Sequence, residues 1–345
     1  MKWCALALFA TCVWAQSQKN QATYTYDING NRTRSSNTST TKTNGQTVTT
    51  TNAPSINGGA VTTNGSSERV ISDGPGGKVI ERIVKKFDRT GRPAGSEKVR
   101  IEESKNPDGS LTTRTTVWDS DINGSYMPRQ RSVARTAVNG NVVRTDTEVE
   151  TANPNGGFDL NEKRVTVAQT SDQTSQKDVT IFRKDANGRF LESSREITQS
   201  QKQNGQDVTT TTEYNAPPGG KMALAGQKVA TQMKQPDGTE VTITDVYGNA
   251  STGQYGASKV QPQLREQQIL ETKVGPGGAV IETFRVRRPA IDSKRLGPPE
   301  TVSQTVCTGN CLPPPAAPAQ PAPAQQAQAP APAAPAAQPA GPPQP

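Results

Sequence analysis

The sequence predicts an all-β fold, an antiparallel β-hairpin repeat array, and three observations predict it. The array is an up-and-down meander in a twisted or curled sheet, followed by a Pro-rich C-terminal tail without regular structure. The first observation is periodic glycine. Gly58, Gly91, Gly124, Gly157, Gly188, Gly220 and Gly253 recur every 31 to 33 residues, and Gly45, Gly77, Gly109, Gly140, Gly205 and Gly238 interleave with them. The second series lacks one member, near Asp172. A fixed period of this length marks a repeat protein. The second observation is turn chemistry. Asn44-Gly45, Asn123-Gly124, Asn139-Gly140, Asn187-Gly188 and Asn204-Gly205 tolerate positive φ and favour hairpins, as do Asp108-Gly109 and Asp237-Gly238. The third is alternation. Val143, Thr145, Thr147 and Val149 alternate with Arg144, Asp146 and Glu148, which is the period of a half-buried strand.

Each element follows in chain order. Residues 1–15 carry one Lys, an apolar run and Val13-Trp14-Ala15, the pattern of a secretory signal cut after Ala15. A lipoprotein reading would place the lipid on Cys12. Residues 16–67 are Asn/Thr-rich with few apolar anchors, so they are expected to be irregular N-terminal repeats and the least ordered part of the body. Residues 68–299 are the repeat body, in which each period of about 32 residues is one strand–turn–strand–turn unit. Gly74-Pro75-Gly76-Gly77-Lys78-Val79-Ile80-Glu81 recurs as Gly275-Pro276-Gly277-Gly278-Ala279-Val280-Ile281-Glu282, a sign of duplication. Residues 300–311 hold the one cysteine pair after the signal, Cys307 and Cys311. In an exported chain these are expected to form a disulfide that closes a plug on the end of the sheet. Residues 312–345 contain only Leu, Pro, Ala, Gln and one Gly, a composition biased to extended polyproline II.

Composition bounds the function. The hydrophobic fraction is 31% and the aromatic fraction 4%, too little for a thick globular core, so full disorder or a thin half-solvated sheet are the alternatives. There is no histidine. That removes Ser-His-Asp and Cys-His catalysis and His-ligated zinc together. No nucleophile–base constellation, phosphate loop or metal-ligand cluster stands out, so an enzyme, a cofactor and a metal are not expected. A net charge of +8 favours anionic surfaces such as polysaccharide or lipid headgroups, and nucleic acid is not expected as the partner of an exported chain. No stretch is long and apolar enough for a transmembrane helix. Asn31-Arg32-Thr33, Asn64-Gly65-Ser66 and Asn123-Gly124-Ser125 fit the glycosylation sequon.

Tyr24-Thr25-Tyr26-Asp27-Ile28-Asn29-Gly30-Asn31-Arg32-Thr33 resembles the YD repeat of Rhs-type and teneurin-like surface proteins. Phe87-Asp88-Arg89-Thr90-Gly91-Arg92 and Lys184-Asp185-Ala186-Asn187-Gly188-Arg189 are partial copies, and Asp245-Val246-Tyr247-Gly248-Asn249 is a weaker one. The resemblance implies a spiralling β-sheet, sometimes a shell, with carbohydrate binding in some members. The motif has a physical reason. The Asp accepts from turn amides, the Gly supplies positive φ, and the aromatic packs on the adjoining sheet.

The leading functional expectation is an exported, non-enzymatic scaffold of the cell envelope, periplasm, cell surface or extracellular space, with the tail meeting another envelope protein. The second is a carbohydrate-binding or adhesion module, with Tyr214, Tyr247, Arg285, Arg287 and Arg288 as glycan or anion contacts. The third is an outer-membrane barrel. Strand length and export fit it, but Thr, Arg and Glu on both strand faces conflict with an apolar outer band.

Overall fold

The computed structural model describes residues 17–55, 59–121, 123–217, 220–248, 262–289 and 295–311. The signal-like segment and the Pro/Ala/Gln tail lie outside them. Eighteen strands follow one another: β1 (Ser17–Tyr26), β2 (Arg32–Thr43), β3 (Gln46–Pro54), β4 (Ala60–Gly74), β5 (Gly77–Phe87), β6 (Pro93–Lys105), β7 (Leu111–Ser120), β8 (Tyr126–Asn139) and β9 (Val142–Ala152). The second half is β10 (Phe158–Thr170), β11 (Thr174–Lys184), β12 (Phe190–Gln203), β13 (Gln206–Asn215), β14 (Ala223–Lys234), β15 (Glu240–Gly248), β16 (Gln263–Val274), β17 (Val280–Arg287) and β18 (Glu300–Gly309). Among the described residues there is no α-helix, only one 3₁₀ turn at Pro276–Gly278. Every strand pairs antiparallel with its sequence neighbours, and β18 returns to pair with β1, from Lys19 opposite Gly309 to Thr25 opposite Ser303. The meander closes into a barrel. Closure is the remedy for a sheet this wide, since open twisted sheets rarely exceed about 10 strands.

The turns form because their residues leave no cheaper choice. Asn44 and Gly45 have φ of 49° and 75°, and Asn204 and Gly205 have 51° and 77°, both in two-residue turns whose twist matches the flanking strands. The five-residue turns work differently. In Asp27–Asn31 the Asp27 carboxylate accepts from the amides of Asn29 and Asn31 while Gly30 takes φ 78°. Asp88, Asp121, Asn153 and Asp185 repeat this, each accepting from the amides two and four residues on. In the fourth of these, Gly156 rather than the periodic Gly157 holds positive φ. The connection expected near Asp172 is made without glycine, by the Ser171 amide donating to the carbonyl of Thr174.

Two expected boundaries are corrected. The described residues within 16–67 are not irregular repeats: β1, β2, β3 and the first half of β4 lie there, paired into the wall with a register shift in the β1–β2 and β3–β4 hairpins. Threonine hydroxyls bonded across strands supply what apolar anchors do not, as at Thr38–Thr51 (3.0 Å) and Thr40–Thr49 (3.1 Å). Residues 300–311 are not a plug on a sheet edge, because β18 is a wall strand and forms the closing seam. The thin-core expectation matches the burial. Val241, Val280, Val286 and Cys307 are the buried apolar residues among those described. The wall is held by backbone ladders and contacts between neighbouring strands, the energetics of a repeat array.

Candidate functional site: a hydroxyl-lined lumen and an aromatic rim

Closure gives the barrel two rims. Both described ends of the chain, Ser17 and Cys311, lie at the rim bearing the connections 44–45, 75–76, 106–110, 140–141, 171–173, 204–205, 235–239 and 275–279. These have two, three or five residues. The opposite rim carries the connections 27–31, 55–59, 88–92, 121–125, 153–157, 185–189, 216–222, 249–262 and 288–299, all of five residues or more. We call these the terminal rim and the far rim. The rims also differ in their ladders. Each of the nine hairpins that turn at the far rim has a register shift, against one of the hairpins turning at the terminal rim. A bulge strengthens local twist and re-aims the side chain beside it.

Paired residues share a face, so the register sorts every strand side chain into one of two sets. One set runs Thr43, Gln46, Arg69, Glu81, Arg100, Thr116, Arg131, Glu150 and Leu160, each opposite the next. This path descends from the terminal rim to the far rim as the strand number rises. Thr43 and Gln46 flank a type I′ turn and are therefore a hydrogen-bonded pair. For L-residues this puts β3 to the right of β2 when that set faces the viewer and the terminal rim is uppermost. Strands with right-handed twist coil around a barrel in the right-handed sense, so a path descending to the right is seen only from outside. The Thr43 set is the outer face and the other set lines the lumen.

The lining is polar. Thr23–Thr305, Thr38–Thr51, Thr40–Thr49, Thr136–Thr145, Thr198–Thr211 and Ser200–Thr209 are hydroxyl pairs across neighbouring strands, and all belong to the inner set. Glu68–Arg82 and Glu213–Lys228 are inner ion pairs. With 18 strands at ordinary spacing and tilt, opposite backbone walls stand about 35 Å apart, which leaves room for water after side chains fill the margin.

The outer face is not an apolar band. Across β5 to β9 it carries Glu81, Arg100, Glu102, Arg114, Arg131, Arg135, Arg144, Asp146 and Glu148. Its aromatic residues are confined to one level. Tyr24, Tyr26, Phe87, Trp118, Tyr126, Phe158, Phe182, Phe190, Tyr214 and Tyr247 all lie on the outer face at the far rim, each half-buried. Phe284 is the described aromatic that faces inward. Cations lie over several of the rings: Arg32 over Tyr24 at 3.6 Å, Lys98 over Trp118 at 4.7 Å, Arg131 over Phe158 at 4.4 Å and Lys163 over Phe190 at 5.2 Å. The ring was missed in the sequence, although the signal was present. Apart from Tyr24 and Tyr26, which adjoin the Gly30 turn one period earlier, these aromatics fall beside turns of the first glycine series and none beside the second.

The residues proposed from sequence as glycan contacts divide. Tyr214 and Tyr247 belong to the aromatic ring, on β13 and β15, with β14 between them. Arg285 is paired with Glu271 at 2.7 Å, Arg287 donates to the carbonyl of Gly297 and to Gln267, and Arg288 lies 3.7 Å from Glu266. The arginines are engaged within the wall and do not converge with the tyrosines on a pocket. Two shallow depressions in the surface, of about 470 and 400 Å³, lie at the terminal rim around Ser72–Gly77 and Ser171–Gln176. Cys307 and Cys311 are joined by a disulfide at the seam. The described residues contain no cluster of metal-ligating side chains and no helix long and apolar enough to cross a membrane, a statement that does not concern strands.

The class of protein is thus a closed, 18-stranded, up-and-down β-barrel with a polar lumen. No family model matches the chain, and neither does any curated protein. Among solved structures it is similar to Salmonella typhi OmpF in complex with daunomycin, with TM-score 0.45, 10% identity, and coverage of 85% of this chain and 97% of that one. Similarity to Acinetobacter baumannii OccAB4 has TM-score 0.43, 9% identity, and coverage of 85% and 96%. A porin-like protein from Bacteroides uniformis gives 0.22, with 12% identity and coverage of 85% and 96%. The scaffold expectation is overturned by closure. A stacking array presents free sheet edges to its neighbours, and this wall has none, because β1 and β18 use each other's edges around an enclosed space.

Proposed function

We propose that the protein is a β-barrel of the outer-membrane type, enclosing a water-filled passage in the cell envelope. The observation that carries this is the layout of the closed wall. Strands are even in number, both described chain ends share a rim with the shorter turns, and the longer connections and the aromatic ring share the other. Barrels that cross outer membranes share the even strand number and the split between short turns at one end and longer connections at the other. The hydroxyl and ion-pair lining suits passage of water and small polar solutes. The test is fractionation followed by reconstitution. The mature protein is expected in the outer-membrane fraction and is expected to produce stepwise conductance in planar bilayers. Recovery in the soluble fraction without conductance would overturn the reading.

One observation favours a second reading, a tube wetted on both sides. Each outward Lys or Arg at the level of the bilayer midplane costs about 2–4 kcal/mol, and β5 to β9 carry several. This tube would stay monodisperse without detergent after refolding, whereas a spanning barrel would aggregate.

A further inference from the structure

We propose that the aromatic ring seats the far rim on an anionic lipid surface, so that membrane contact is made at one end of the barrel. The inference rests on the second reading above, the tube wetted on both sides, and says which part of that tube meets lipid. Three observations converge. The ring is one-ended, whereas a wall that spans a bilayer needs aromatic residues at both interfaces. Next to the ring, toward the terminal rim, the outer face is charged through β5 to β9, so burial stops at the ring's own level. The ring also carries cations that no carboxylate neutralises. Among the described residues, Arg32, Lys98 and Lys184 have no ion-pair partner, and each lies over a ring, Lys184 over Phe190 at 5.8 Å. An amphipathic ring beside a long-stemmed cation is the chemistry of the headgroup layer. The aromatic body enters the acyl boundary while the ammonium or guanidinium stays with phosphate. Charge complementarity therefore selects an anionic lipid headgroup as the occupant.

The full chain is incubated with vesicles of phosphatidylcholine alone or with added phosphatidylglycerol, and bound protein is measured by sedimentation. Binding is expected to require phosphatidylglycerol and to fall with salt. Substituting Trp118→Ala, Tyr126→Ala and Phe190→Ala together is expected to weaken it by roughly tenfold or more. The milder set Arg32→Gln, Lys98→Gln and Lys184→Gln keeps the rings, guards against misfolding, and is expected to weaken binding to anionic vesicles by several-fold. With Trp3 and Trp14 replaced by Phe, Trp118 emission should shift to the blue and be quenched by shallow lipid labels. Equal binding of the ring variant, equal binding to neutral vesicles, or displacement by a soluble anionic polysaccharide would overturn the proposal, the last by marking a glycan surface. Conductance without dependence on the ring would sink this inference alone. Ring-dependent binding without conductance would sink the passage alone.

Discussion

At the residue scale the wall depends on what each turn does with its first and fourth positions. Gly188 sits at φ 81° with open space where a Cβ would be, so its cost on substitution is conformational. Gly188→Val is expected to destabilise by about 1–2 kcal/mol, read as a lower midpoint in urea. Gly65→Ala is the control: its backbone is outside that region, its new methyl would stand at an ordinary 3.7 Å from Phe87, and little change is expected. Gly309 is a harder case, because a Cβ there would run into the carbonyl oxygen of Gln18 and force β18 away from β1. The turn aspartates set the response to acid. The Asn31 side chain and amide hold the Asp27 carboxyl below its ordinary 3.8, and the Thr90 hydroxyl does the same for Asp88. At Asp185 the amide of Arg189 is the leading cause. A carboxyl lowered in the folded state stabilises above its unfolded pKa and loses that contribution as pH falls through the folded value. The turns at Asp27, Asp88 and Asp185 should therefore hold from neutral pH to about 4 and loosen as pH falls below the ordinary 3.8. Amide exchange at Gly30, Gly91 and Gly188 across pH 5 to 2 checks this, and uniform protection throughout would contradict it.

The element that matters is the hairpin, and its two ends are built differently. At the far rim a connection of five residues or more, a bulge and in most units an aromatic come together. Trp118 stands opposite Lys98 in the unbroken β6–β7 ladder and its ring meets that cation, while the bulge beside Val117/Trp118 puts the extra residue, Arg129, on β8, where it pairs with Glu97 and Asp119. At the terminal rim most ladders run to the turn without interruption. Three of the segments resembling YD repeats form far-rim turns, where Asp27, Asp88 and Asp185 recur with a glycine three residues later, whereas Asp245 to Gly248 of the weaker copy lie within β15. The disulfide stabilises one strand end. Cys307 and Cys311 bracket Asn310, whose amide donates to the carbonyl of Gln18 and whose side chain reaches Ser17. Cys307→Ser with Cys311→Ser is expected to cost about 2 kcal/mol, since so short a loop removes little chain entropy. Loss of protection should appear first in β1 and β18.

For the whole molecule, closure is the decisive property, because it removes both edges at once. Deleting residues 300–311 takes away β18 and exposes the edges of β1 and β17. The truncated chain is expected to aggregate, which light scattering at matched concentration would report. Excising one complete unit, residues 174–205, removes β11 and β12 and should instead leave a narrower, 16-stranded wall, since the extensive contacts of each strand are with its two neighbours. Soluble or membrane-inserted protein with a smaller conductance would support this. Unfolding of the excised form would show that the circumference is not free to change.

The hairpin period, the turn chemistry and the absence of histidine catalysis were legible in the sequence, because each depends on local backbone geometry or residue type. Gly30, Gly91, Gly124 and Gly188 announce their positive φ without help from distant residues. The identical segments Gly74–Gly77 and Gly275–Gly278 mark where that ends. One closes a two-residue turn and the other a five-residue turn with a 3₁₀ segment, so pairing register decided between them. Closure was beyond local reading, because the pairing of Lys19 with Gly309 joins residues at opposite ends of the chain. The sides were also beyond it. A period of two separates the faces but does not say which looks outward, and that depends on the handedness of the twist carried around all 18 strands.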